Sequence, residues 1–389
     1  MPQLSPSDQA VIAKVQSAFE SRFAGNPQWV RACGRINIIG EHTDYNDGFV
    51  LPAAIDKYLF FAIAENGTSE CRFLACDIDE EYSAGLDELT PGPKLWANYL
   101  MGIIKQFLQD GKVVRGFDCA FGGNLPIGSG MSSSAALECG LAWSLNALFG
   151  AGYSREHLAQ LAQRSSHTFV GIPCGIMDQF ASLMGKENQL ILLDCRSLDY
   201  AYIPFDTGNY RVVLLNSKVH HELASSAYST RVKECREAAA IAGVKSLRDL
   251  NPDQLEVFRQ HMSPTVYNRA SYVVAENNRV MAACAALRNG DIMELGRLMF
   301  ETHDGLRYLY EVSCPEIDLL VDFAKNFEGV IGARVMGGGF GGCTINLVHK
   351  DITQDFIDRA TYHYLQHTGI RAEAYFTTSV DGTELLAKK

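Results

Sequence analysis

The sequence predicts an α+β fold in two domains, on three observations. The chain is 389 residues long, past the usual size of one domain, and 47% of its side chains are apolar. Short apolar runs divided by Gly, Asn and Asp turns alternate with helical periodicity in the first half. A long helical region follows, and the last sixty residues return to strands. The expected division is 1–200 and 201–389, with the boundary near 195 to 210.

Each element has its own signal. Ala10, Val11, Ala13, Val15, Ala18 and Phe19 recur on one face behind a Ser7 or Asp8 cap, predicting a first helix over about 8 to 23. The runs Phe49 to Ala54, Tyr58 to Ala64 and Cys71 to Ala75 read as strands of a small sheet. A helix over 95 to 109, a strand over 117 to 121 and a helix from about Ser133 come next. Strands over 189 to 195 and 211 to 216 precede helices through 222 to 328, with Ala270 to Leu287 a long amphipathic segment. Strands over 332 to 336, 344 to 348 and 372 to 377, with a helix over 352 to 366, complete the order. No internal repeat or low-complexity segment interrupts it.

Composition excludes several classes. With 45 acidic against 34 basic residues and a pI near 5.4, the chain has no basic excess to neutralise a phosphate backbone, so nucleic acid is not an expected partner. The first twenty residues hold no continuous apolar core of a signal peptide, and no stretch reaches the ~20 apolar residues of a membrane span. A cytoplasmic protein with no membrane partner is expected. The eleven cysteines contain no C-x-x-C pair and read as reduced, buried small hydrophobes. No long heptad argues for association, so a monomer is expected.

Three stretches carry chemistry. In the first, Asn124 to Glu138, two glycines and four serines lead into an apolar-periodic helix. The unpaired amides and positive end of such a helix suit a polyphosphate, although an ordinary N-cap leaves the same trace. The loop is neither a Walker A motif nor G-x-G-x-x-G. Downstream, Gly337 to Gly342 holds five glycines in six positions between strands, which reads as close backbone approach to a ligand or as a tight buried bend. In the second stretch, Arg35 to Gly48, Asn37, Glu41, His42, Thr43, Asp44, Tyr45, Asn46 and Asp47 crowd hydrogen-bonding groups between apolar runs. Carboxylates accept from paired hydroxyls, so the cluster suits a sugar face, with a solvated turn as the alternative. The third stretch, Gly171 to Gln179, puts Asp178 on an otherwise buried helical run. A nearby Arg35 would keep it ionised as a general base, and a simple buried ion pair would look the same.

These stretches, in this order, resemble the three motifs of the GHMP small-molecule kinases. The run from Gly34 to Pro52, reading Gly-Arg-Ile-Asn-Ile-Ile-Gly-Glu-His-Thr-Asp-Tyr-Asn-Asp-Gly-Phe-Val-Leu-Pro, resembles the signature of the galactokinase branch, and the resemblance spans the chain. It implies a two-domain fold with the active site in the interdomain cleft, ATP and Mg²⁺ as cofactors, and transfer of the γ-phosphoryl group to the C1 hydroxyl of galactose. By resemblance Asp178 is the base and Arg35 the cation beside it. Glu41, His42, Thr43, Asp44, Gly175 and Tyr228 are the implied sugar contacts. Gly128, Ser129, Gly130, Met131, Ser132, Ser133 and Ser134 form the implied triphosphate cradle, with Ser134 a magnesium ligand. Trp96 stands where the family has an aromatic near the nucleotide base, or is simply a core residue.

The chain departs from the family at Ser166, where relatives place a glutamate as second magnesium ligand; the lost carboxylate is expected to weaken metal binding. Cys33 and Met336 replace a common proline and threonine. Two other readings stay open: a kinase acting on N-acetylgalactosamine or another sugar, and a catalytically silent galactose sensor. The complete run from Ser132 to Ala136, with Arg35 and Asp178 both present, weighs against the sensor.

Overall fold

The computed structural model describes residues 4–126, 128–220 and 224–386. Its first sheet has six strands in the order β13-β1-β3-β6-β4-β5, comprising β1 (Gln28–Asn37), β3 (Pro52–Glu65), β4 (Glu70–Ala75), β5 (Glu80–Gly85), β6 (Phe117–Gly123) and β13 (Glu384–Leu386). All pairings are antiparallel except β4 with β6. Side chains alternate across it: Phe61, Ile63, Phe73, Cys119 and Phe121 face a core shared with the helices Leu95–Gln109, Ser133–Leu148, Arg155–Ser165 and Met177–Met184. Ala62, Ala64, Leu74 and Ala120 face the other way, onto Val15 and Phe19 of the first helix, Pro6–Arg22.

A second sheet, β10-β11-β9-β12, comprises β9 (Tyr210–His220), β10 (Val330–Val335), β11 (Gly341–His349) and β12 (Glu373–Phe376), all antiparallel. On β9, Val212 and Leu214 join the first core, while Val213 and Leu215 join a second core under the helices Ala224–Ile241, Pro264–Arg288, Ile292–Tyr308, Pro315–Lys325 and Thr353–Thr368. Burial on both faces explains the unbroken apolar run Val212 to Leu215. A small third sheet joins β2 (Phe49–Val50), β7 (Gln189–Asp194) and β8 (Tyr200–Pro204). Among the described residues no helix is long and apolar enough to cross a membrane. All eleven thiols are free, nine of them buried and Cys174 and Cys195 partly exposed.

Several elements differ from expectation. The first helix is capped by Ser5, not Ser7 or Asp8; Asp8 is the third helical residue and closes a capping box with Ser5. The expected strands over 49 to 54 and 58 to 64 become the two-residue β2 and the long β3. The interruption at Asp56 and Lys57 is a bulge, since Ile55 pairs with Gly34 and Tyr58 with Cys33. Strands β5, β8 and β13 have no counterpart in the expected order; β5 is half polar with every second residue exposed, β8 is mostly exposed, and β13 is three residues long. The helical region expected from 222 begins at Ala224, residues 222 and 223 lying outside the described residues. A turn of π-helix, Ser166–Val170, follows the helix Arg155–Ser165.

Candidate active site

The site forms where the end of β1, the phosphate-type loop, the helix Met177–Met184 and the β10–β11 turn meet. Gly34 on β1 lets the loop come close: a Cβ there would stand 2.5 Å from a Leu125 methyl and 3.0 Å from the Met131 carbonyl oxygen. The next residue, Arg35, donates its backbone N–H to that carbonyl at 3.1 Å. Within the loop Ser129 is buried and donates to the Pro126 carbonyl at 2.7 Å, and the Met131 side chain is buried in the core. Gly128 and Gly130 have positive φ.

Ser132 is the N-cap of the helix Ser133–Leu148, in the left-handed region (φ 59°, ψ 50°), and makes no capping bond. Its hydroxyl instead donates to Asp178 Oδ2 at 2.5 Å. A non-glycine residue held there is strained, and the first-turn amides are left for a ligand. Asp178, in the first turn of its own helix, accepts at Oδ1 from Arg35 Nε at 2.6 Å. Arg35 also donates through Nη1 to the Gly130 carbonyl. One buried guanidinium therefore ties the carboxylate to the loop.

The second group surrounds a small pocket of about 60 Å³ lined by Arg35, Glu41, His42, Asp44, Asp178 and Tyr228, with Cys174, Gly175, Met177, Gly337 and Gly338. Asp44, Cys174 and Gly175 also line a neighbouring cavity of about 620 Å³. Gly175 has no room for a side chain, because a Cβ would fall 1.8 Å from Asp44 Oδ2. Burial, with the charges of Asp178 and Glu41 adding, pushes the Asp44 carboxyl up to about 7. His42 is buried with φ 64°; its Nδ1 pairs with the Tyr45 hydroxyl at 2.8 Å, and its ring lies 5.7 Å from Tyr228 and 4.9 Å from Tyr310. Burial, with Arg231 nearby, pulls its imidazole down to about 3, so it is neutral. Thr43 does not line the pocket; it is fully buried and its hydroxyl hydrogen-bonds the Gly40 and Phe49 carbonyls, holding the turn.

Other expected residues lie outside this pocket. Ser133 and Ser134 open the helix, and Ser134 hydrogen-bonds Tyr99. Ser166 is 2% exposed, with its hydroxyl 2.6 Å from Glu138 Oε1. Trp96 is half-buried against Tyr82 and Phe121, its indole N–H 2.9 Å from Glu80 Oε2. Sequence reasoning missed Glu138 and Arg334, both 0% exposed. The available signal was a lone charge inside an apolar run, Ala135 to Leu141 for one and Val330 to Met336 for the other. Among the described residues no three His, Cys, Asp or Glu side chains are grouped to hold a metal ion.

Residues 98–186 match the GHMP kinases N terminal domain, residues 17–65 the galactokinase galactose-binding signature, and residues 283–364 the GHMP kinases C terminal domain. The galactokinase of Thermotoga petrophila is 40% identical over 355 residues, covering 91% of this chain and 99% of that protein. The chain belongs to the galactokinase family of GHMP kinases. The Homo sapiens galactokinase is 38% identical over 394 residues, covering 98% of each chain. The crystal structure of Lactococcus lactis galactokinase complexed with galactose superposes with a TM-score of 0.93 at 31% identity, covering 97% of this chain and 100% of that one. The mevalonate kinase of Methanococcus jannaschii, at 16% identity and a TM-score of 0.66, shares the fold. The galactokinase signature match spans Arg35, Glu41, His42 and Asp44; Tyr228 lies between the matched segments.

Proposed function

We propose that this chain is a galactokinase, transferring the γ-phosphoryl group of ATP to the C1 hydroxyl of α-D-galactose to give galactose 1-phosphate and ADP. The observation that carries the reading is Asp178, held by Arg35 and Ser132 at the junction of the helix-capping loop and the polar pocket. The C1 hydroxyl proton passes to Asp178, O1 bonds to the γ-phosphorus, and the bond from that phosphorus to its bridging oxygen breaks, releasing ADP. Arg35 pairs with the carboxylate at 2.6 Å and faces the transferring charge, so the chain's main contribution is positioning and electrostatics. Glu41, His42, Asp44, Gly175 and Tyr228 are assigned to the sugar, with Thr43 supporting the turn. The loop from Gly128 to Ser134 is assigned to the triphosphate through its backbone amides.

Mg²⁺ fits this site in part. The oxygen donors at the head of the helix are hard ligands of the right kind, and Ser134 is the residue assigned to hold the ion beside phosphate and water oxygens. Ser166 does not fit, because its buried hydroxyl is committed to Glu138. When bound, the ion neutralises charge on the β- and γ-phosphate oxygens.

The domain division is placed near residue 200, supported by β9 at Tyr210 opening the second sheet; β13 returns to the first. A cytoplasmic monomer is the expected working form. The deciding experiment is ATP-dependent formation of galactose 1-phosphate across a magnesium titration, with N-acetylgalactosamine and glucose as competing acceptors. Turnover on galactose that Asp178→Ala reduces at least about 10²-fold is expected. Galactose binding without turnover at any magnesium concentration would make the protein a sensor.

A further inference from the structure

We propose that Arg334 is a positioning residue of the sugar site, acting through Glu41; the inference rests on the galactokinase reading. Arg334 lies on β10, in the second sheet, and is fully buried. It reaches across to the end of β1: Nε donates to the Ile38 carbonyl at 2.8 Å and Nη2 to the Asn37 carbonyl. Nη1 donates to the Val335 carbonyl at 2.6 Å and to Glu41 Oε1 at 3.0 Å. The same Oε1 accepts the backbone N–H of Gly337 at 2.8 Å, from the glycine-rich turn that follows β10. Oε2 makes no hydrogen bond among the described residues, and Glu41 lines the pocket.

Two donors from the second sheet thus occupy one oxygen and leave the other as a fixed acceptor for a sugar hydroxyl. A free glutamate would lose rotamer entropy on gripping a hydroxyl; this one is already held. The planar fork matters, since it serves three carbonyls and a carboxylate at once, which an ammonium on a flexible stem cannot reproduce in that geometry. The arrangement also joins sugar recognition to the contact between the two sheets, because the same guanidinium clamps the carbonyls where β1 ends.

The test compares wild type, Arg334→Lys, Glu41→Gln and the double variant for galactose KM, ATP KM, kcat and thermal midpoint. Arg334→Lys should raise the galactose KM about tenfold or more while the ATP KM stays within about twofold. In the Glu41→Gln background the same change should add little, because both act through one carboxylate. Because Arg334 also clamps three buried carbonyls, a lower thermal midpoint is expected on either account. A purely structural arginine would disturb both substrates alike, and its effect would multiply with that of Glu41→Gln; either of these two results overturns the inference, as does an unchanged galactose KM. If Arg334→Lys does not fold, Glu41→Asp carries the test. Its shortened carboxylate, retained by Arg334, should withdraw from the pocket and weaken galactose binding at an unchanged thermal midpoint, and wild-type affinity would overturn the proposal. Absence of galactose phosphorylation by the wild type sinks the galactokinase reading itself, a result separable from every variant outcome.

Discussion

Asp44 shares a pocket with two other carboxylates, Glu41 and Asp178, and burial has lifted its own carboxyl to about 7. As an ionised group it accepts from two sugar hydroxyls; protonated, it loses part of that capacity. Galactose KM should therefore fall as pH rises through about 7, and Asp44→Asn should remove the inflection, as steady-state kinetics against pH will show. Glu138 tests the same physics as a stability effect. Burial pushes its carboxyl from 4.5 up to about 8, with the Ser166 and Gln179 hydrogen bonds opposing the shift and the charge of Asp178 adding to it. The folded state holds that proton more tightly than the unfolded chain. Its contribution to stability is thus full below about 4.5 and is lost as pH rises through about 8. Glu138→Gln should flatten the fall in thermal midpoint over that range, measured by calorimetry.

Two elements place these residues. The segment entering the helix Met177–Met184 sets Gly175 against Asp44, so Gly175→Ala should push that carboxylate out of the pocket. Gly175 does not have positive φ, but the Cβ would also stand 2.7 Å from Asp44 Cβ, so the turn bearing Asp44 must shift. The expected result is a galactose KM raised about tenfold or more together with a lower thermal midpoint. The first helix supports the phosphate loop from the far side of the sheet: Asp8 Oδ1 accepts from Asn124 Nδ2 at 2.8 Å, and Asn124 Oδ1 accepts the Tyr58 N–H at 2.7 Å. Ser5→Ala removes the capping box and should cost about 1 kcal/mol in chemical denaturation, without altering kcat. The π-helical turn Ser166–Val170, closed by Gly171 at φ 83°, begins at Ser166, where the resemblance to the GHMP kinases implies a glutamate. Its first side chain points at Glu138, an orientation that helical periodicity alone does not reveal.

For the molecule as a whole, the second sheet is the joint. Its β9 and β11 strands bury one face in the first core and one in the second, and Arg334 adds a polar clamp across the same boundary. A substrate that touches Glu41 from one side and Gly337 or Gly338 from the other binds both halves at once. Galactose should raise the thermal midpoint in proportion to the logarithm of its concentration, by about 2.7 kcal/mol of stabilisation at one hundred times its Kd. Sedimentation should return a particle of 42.8 kDa, the mass of one chain.

Local chemistry was legible because it resides in neighbouring residues. The helix over 95 to 109, the glycine-serine loop leading into Ser133, the polar run from Arg35 to Asp47 and the lone Asp178 all show in short windows of sequence. Periodicity and turn residues also sufficed for the α+β class. What required tertiary structure is contact at long separation: Arg35 meets Asp178 across 143 positions, Glu41 meets Arg334 across 293, and β13 closes onto β1 from the far end of the chain. A buried charge carries no mark of its partner in sequence, since the desolvation that makes the pair necessary exists only once the two sheets have come together.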